Sequence, residues 1–223
     1  MELDELKDMW SDYDKKLDKS LKLNIQLLRK INLDKAKNKL RKLMIFKLME
    51  MFILAGIIIF LVSFIADNIT SPQFSISAGI FAFFALMGFI SNVKQVAIMM
   101  QLQGGYTEAV APLQRKIELL KLLIVKYVKY ALLSIPFFPI WMILITKILF
   151  NYDIYSNSMR NWWLANICVS IALIPLVWWV FKQLSKNEIS RFWVKNFLEG
   201  SGWKQAEAAR AFLTEIDDFE RDI

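Results

Sequence analysis

The chain reads as an all-α membrane protein: four transmembrane helices with helical extensions, and both termini on the cytoplasmic side. Three observations predict this. Residues 44–66, 74–90, 128–150 and 162–180 form apolar stretches of 17 to 23 residues, within the range of about 17–25 over which helices cross a hydrocarbon core. The 223 residues are 56% hydrophobic, and soluble helices that must keep a polar face do not carry apolar runs of this length. Lys and Arg also alternate between the connectors: thirteen in residues 1–47, none in 67–73, five in 93–127, one in 151–161 and seven after Val180. By the positive-inside rule this places the termini and the middle connector in the cytoplasm, as in a multi-pass protein of the inner membrane.

The organisation follows in three parts: a cytoplasmic amphipathic arm (1–43), a four-span region (44–184) with a cytoplasmic helical hairpin around 93–127, and cytoplasmic C-terminal helices (185–223). The first 43 residues are polar, so no cleavable signal is expected and the first span should act as its own signal.

Residues 1–55 contain neither Gly nor Pro. Leu3, Leu6, Trp10, Tyr13, Leu17 and Leu21 recur at steps of three and four, an apolar stripe of period near 3.6 that Ile25, Leu28 and Ile31 continue with some drift. A strict heptad would place Asn24, Asp34 and Asn38 in its seam, which argues against a long two-stranded coiled coil. The pattern is compatible with a helix that runs into span one and with one that breaks near residues 32–34. Residues 1–18 hold seven acids and three lysines, a balance of −4; residues 19–47 hold ten bases and Asp34, a balance of +9. The basic half adjoins the first span and suits anionic headgroups.

Span two should continue past Ile90 to Gln103, where Gly104 and Gly105 break it. Thr107 is a candidate N-cap, and Val110, Leu113, Ile117, Leu120 and Ile124 form a stripe leading into span three. Such a stripe outside the bilayer needs cover, and the N-terminal arm is the nearest candidate. In the tail, residues 185–188 have capping-box spacing ahead of Ile189, Phe192, Trp193 and Phe197, a helix suited to the membrane interface. Gly200 and Gly202 separate it from a last helix that sets Ala209, Phe212, Ile216 and Phe219 on one face. Residues 203–223 carry six acids and three bases.

The chain has no histidine and one cysteine, Cys168. That removes histidine acid–base chemistry, the commonest metal ligand and any intrachain disulfide. No cofactor, metal site or catalytic residue is expected, and no enzyme activity. Glu50 could mark an ion path, but one turn from Lys47 it reads better as a hydrated i, i+3 pair at the border. Pro136, Pro139 and Pro175 read as packing kinks. Gly79 and Gly88, with Ala78, Ala82 and Ala85, offer a small-residue face for helix contact, within the chain or in a homo-oligomer. Trp162/Trp163 and Trp178/Trp179 bracket span four about 24 Å apart and suit two aromatic belts; Lys147 can snorkel at the outer end of span three. The basic run 35–42 follows the topology rule, so direct nucleic-acid binding is not expected. The bilayer itself is the first partner. For a protein partner, the candidate contacts are Leu3, Leu6, Trp10, Tyr13 and Leu17 on the arm, with Phe212, Ile216 and Phe219 on the last helix; the alternative is intramolecular, the arm stripe packing on the cytoplasmic hairpin or on the C-terminal helix.

Residues 2–17, Glu-Leu-Asp-Glu-Leu-Lys-Asp-Met-Trp-Ser-Asp-Tyr-Asp-Lys-Lys-Leu, resemble the start of a group of membrane proteins in Bacteroidetes-type bacteria. Those proteins open on a leucine–acid–tryptophan helix, followed by a polar helix and several spans, over a likeness of about 45 residues here. Their genes often neighbour extracytoplasmic-function sigma factors, and some are suspected anti-sigma factors. The resemblance implies that Leu3, Leu6, Trp10 and Tyr13 contact a regulatory partner such as a sigma factor. The chain departs from ordinary membrane anti-sigma factors, which have one span and a sizeable outer domain; its outer loops are 67–73 and 151–161. The expected function is therefore a membrane-anchored regulator of a cytoplasmic partner, a noncanonical anti-sigma factor. The alternative is a structural or accessory subunit of a larger membrane assembly, and a small transporter ranks last.

Overall fold

The computed structural model describes residues 3–104, 110–154, 160–185, 194, 196, 198 and 200–221, with side chains omitted for 3–6, 160 and 219–221. Among the described residues the helices are α1 (Leu3–Asp67), α2 (Pro72–Gly104), α3 (Val110–Leu133), α4 (Phe138–Phe150), α5 (Arg160–Leu184) and α6 (Trp203–Arg221). A 3-10 turn, Ile135–Phe137, joins α3 to α4. Among the described residues four helical segments are long and apolar enough to cross a membrane: α1, α2, α3 with α4, and α5.

α1 is one unbroken helix of 65 residues, about 100 Å at 1.5 Å per residue. The open question at residues 32–34 thus resolves as continuity. Asn32 and Asp34 do not break it because both tolerate helical backbone, and Asn32 is buried against neighbours. α1 turns into α2 through four residues, 68–71. Asn68 Nδ2 caps Phe64 O at 3.0 Å, Ser75 Oγ donates to Asn68 O at 2.7 Å, and Pro72 stands first in α2, where no N–H is needed.

Span three is interrupted. Pro136 has no N–H to donate, and its ring would press on the carbonyl four residues back. The chain answers with the 3-10 turn: Ser134 N–H and Oγ both turn back to Ala131 O, at 3.2 and 2.6 Å, and Phe137 N–H reaches Ser134 O at 3.1 Å. Pro175, by contrast, is absorbed inside α5. α4 ends on Asn151 in the left-handed conformation, φ 48°, where Asn stands in for the usual Gly. Lys147 bonds Asn151 Oδ1 at 2.7 Å and lies 5.3 Å from the Phe74 ring centroid.

The main core lies at the end of the molecule away from the α1–α2 turn, largely outside the apolar stretches. There Ala36, Leu40 and Leu43 of α1, Val96, Met99 and Leu102 of α2, the stripe Val110, Leu113, Ile117, Leu120 and Ile124 of α3, and Ala206, Ala209, Leu213 and Ile216 of α6 close into one bundle. The hairpin stripe is therefore covered by the last turns of the arm together with α6. Two smaller clusters sit elsewhere: Leu61, Ala78 and Leu144 between α1, α2 and α4, and Val125, Val128 and Leu132 of α3 with Val177 and Leu184 of α5 and Val194 and Leu198. The expected Trp/Phe interface helix (Ile189, Phe192, Trp193, Phe197), its capping box and the Thr107 cap lie outside the described residues.

Candidate partner-binding arm

The arm is the part of α1 that no other element covers among the described residues. Every residue from Lys7 to Asn24 is exposed. Trp10, Tyr13 and Leu17 are 62%, 63% and 58% exposed, large apolar groups displayed among Asp8, Asp12, Asp14 and Asp18. Burial begins with Ile25 and Leu28 and is complete at Asn32, Ala36, Leu40 and Leu43. An unbroken series of three- and four-residue steps links Trp10 to Leu43, so the open stripe runs on into the face that docks the bundle. Helix nucleation is costly while each added residue costs little, so an arm that extends an already packed helix propagates from a nucleus it did not have to form. Local pairs add slightly, as between Lys15 Nζ and Asp12 Oδ1 at 3.6 Å.

The arm residues proposed from sequence separate from those of α6. Leu3 and Leu6 belong to α1, with side chains outside the described residues, as is that of Phe219. Ile216 is 1% exposed inside the bundle core and Phe212 is half-buried against it, with Lys35 Nζ 5.7 Å from the Phe212 ring centroid. This face of α6 is spent inside the chain, because Ala206 and Ala209 let the helix sink between α1 and α3. Charge reinforces the seat. Buried Lys121 meets Glu207 at 3.2 Å and lies 4.5 Å from the Trp203 ring centroid. Arg210 Nε stands 2.8 Å from Glu118 Oε1, a charge contact without an aligned hydrogen bond. Gln114 Nε2 donates to Leu213 O at 3.5 Å. Gly202 makes the preceding turn, with φ 98°, where any Cβ would run into the Leu43 side chain.

Beneath the bundle sits a polar junction. Lys47 donates to Glu50 Oε2 at 2.8 Å, as i, i+3 spacing foresees. The hydrated state expected for that pair is not what forms: Lys47 is 1% exposed. Tyr127 of α3 covers it, with its ring centroid 4.4 Å from Lys47 Nζ and its hydroxyl bonded to Glu50 Oε1. Gly88 of α2 lies against this ring, where a Cβ would sit in ordinary van der Waals contact, 3.6 Å from Tyr127 Cε2 and from Leu54 Cδ1. One turn on, Asn92 is fully buried beside this junction, and among the described residues its side-chain amide makes no hydrogen bond of good geometry. Sequence reading missed Tyr127 because 77 residues separate it from Glu50 and a lone Tyr at a span boundary carries no signal of its own.

The four tryptophans lie at the two ends of α5. Trp162 and Trp163 meet edge-to-face at 4.9 Å; Trp178 stacks on Phe181 at 6.5 Å, and Trp178 and Trp179 are exposed. Among the described residues no three His, Cys, Asp or Glu side chains gather as a metal site would need.

These features define a class: a helical protein with, among the described residues, four helices long and apolar enough to cross a membrane, the first of which continues through a helical bundle into an exposed arm. No family model, no curated protein and no solved structure matches the chain.

Proposed function

We propose that the chain is a membrane-anchored regulatory tether. The bundle and both termini lie in the cytoplasm, and the arm holds a soluble regulator with a basic surface. The observation that carries this reading is the open stripe of Trp10, Tyr13 and Leu17. Large aromatics at the centre of a recognition surface supply most of its affinity, and the acids between them select a positively charged partner and reject an acidic one. A sigma factor has that character, because it binds DNA, and it is the partner the resemblance of residues 2–17 implies. Holding such a regulator at the membrane keeps it from its DNA.

The test is affinity purification of the full-length protein from its native membrane, followed by binding of the recovered regulator to purified chain. The Trp10→Ala/Tyr13→Ala variant should bind at least about 30-fold more weakly, since loss of one hot-spot aromatic costs about 2 kcal/mol. Equal binding by the variant, or recovery of membrane subunits alone, would refute the tether.

A further inference from the structure

A cavity of about 350 Å³ opens between α1 and α3, lined by Phe46, Lys47, Glu50, Tyr127, Val128, Ala131, Leu132 and Ile135, with Gly200 and Ser201 at its polar end. Its composition is graded. Ile135 lies eight residues beyond Tyr127, about 12 Å deeper along the span, and the wall between them is apolar. The upper end holds the buried Lys47 ammonium. Among the described residues only one of its three N–H donors has an oxygen acceptor, Glu50 Oε2; the rest face the rings of Tyr127 and Phe46, at 4.4 and 5.9 Å from their centroids. Lys39 and Lys42 stand seven and four residues before Phe46, on the same face of α1 and exposed. From Leu48 to Ala66, Glu50 is the only charged residue of α1. The cavity therefore straddles the depth at which cations give way to hydrocarbon.

We propose that this cleft is a binding site for one anionic phospholipid of the leaflet on the bundle side. An acyl chain lies along Val128, Ala131, Leu132 and Ile135, and the headgroup phosphate is met by the exposed Lys42 and Lys39 beside the 200–201 turn, with the buried Lys47 adding positive charge from behind. The volume falls in the range of ligand pockets and suits one chain with its glycerol end, the rest of the lipid remaining in the bilayer. Basic pockets between spans on this side of a membrane recognise anionic headgroups by the same physics. The occupant is a lipid and not a free phosphate, because most of the wall is apolar and opens where lipid tails are. Since the 200–201 turn leads directly into α6, an occupied cleft braces the foot of the bundle. The proposal requires that the helices span a membrane and is independent of what the arm binds.

The test uses full-length protein in mild detergent, stripped of lipid, with phosphatidylglycerol and phosphatidylcholine of equal chain length added back and retention read by native mass spectrometry. One phosphatidylglycerol per chain should be retained with about tenfold preference over phosphatidylcholine. Ala131→Trp fills the exposed wall of the cleft without touching the Lys47–Glu50 pair and should abolish the retained lipid. Lys39→Gln/Lys42→Gln should lower the preference about fivefold or more while the chain stays folded. Equal retention of the two lipids, unchanged retention by Ala131→Trp, or displacement by inorganic phosphate would each overturn the proposal. None of these results bears on the tether, which is read from regulator binding.

Discussion

Over residues 36–47, α1 buries Ala36, Leu40, Leu43 and Lys47, whereas over residues 7–24 the same helix is exposed on every side. Both stretches carry apolar residues at steps of three and four, and both lack Gly and Pro. The difference is supplied from elsewhere: among the described residues, the packing of α2, α3 and α6 on α1 begins around Asn32 and does not extend to residues 7–24. An amphipathic stripe thus states that a face needs cover without stating whether the chain provides it. Where the chain does, side chains as small as Ala36, Ala206 and Ala209 allow close approach. Where it does not, Trp10 and Tyr13 stand open among acids.

Mutations should separate the halves, and the largest effect should come at the junction. Lys47→Met leaves Glu50 beside Tyr127 without its cation and should cost about 3–5 kcal/mol, read as a drop in the denaturation midpoint in detergent. Lys47→Met/Glu50→Leu should recover at least half of that loss, because the pair is removed together. Leu40→Ala, in the packed turn, should cost about 2–4 kcal/mol, while Leu17→Ala on the arm should stay within about 0.5 kcal/mol; equal losses would erase the distinction between the halves. Gly202→Ala forces a Cβ at φ 98° against Leu43 and should loosen α6 by about 1–3 kcal/mol. Lys19→Pro should melt helix N-terminal to it, seen as lost ellipticity and faster amide exchange confined to the arm, with the bundle midpoint unmoved. The smallest effect belongs to Arg210→Ala, whose half-exposed contact with Glu118 should be worth under about 1 kcal/mol.

The spans were legible because stretches of 17 to 23 predominantly apolar residues have few other uses, and the hairpin stripe because its period survives for fifteen residues from Val110. The continuity of α1 was not legible: Asn32 and Asp34 fit a helix and a break equally well, and burial of Asn32 by other elements decides it. The prolines were half legible. Pro136 and Pro139 do break span three, but Pro175 has the same local chemistry and sits in unbroken helix, so neighbours decide that too. On α6 the stripe of Ala209, Phe212 and Ile216 was visible, yet its use inside the chain depends on Lys121, Glu118 and Gln114, more than 80 residues away. The arm's exposure is likewise a fact of the whole fold, since nothing in residues 7–24 says that the hairpin stops short of them.

The most direct test is cysteine accessibility along α1 in a Cys168→Ser background, comparing purified protein with native membranes. Tyr13→Cys and Leu17→Cys should react rapidly with a maleimide in the purified chain and slowly in native membranes, where the regulator covers the stripe, while Leu40→Cys should be protected in both. Rapid reaction of the arm positions in both settings would contradict the tether, and their protection in the purified chain would show that the stripe is covered by the chain itself.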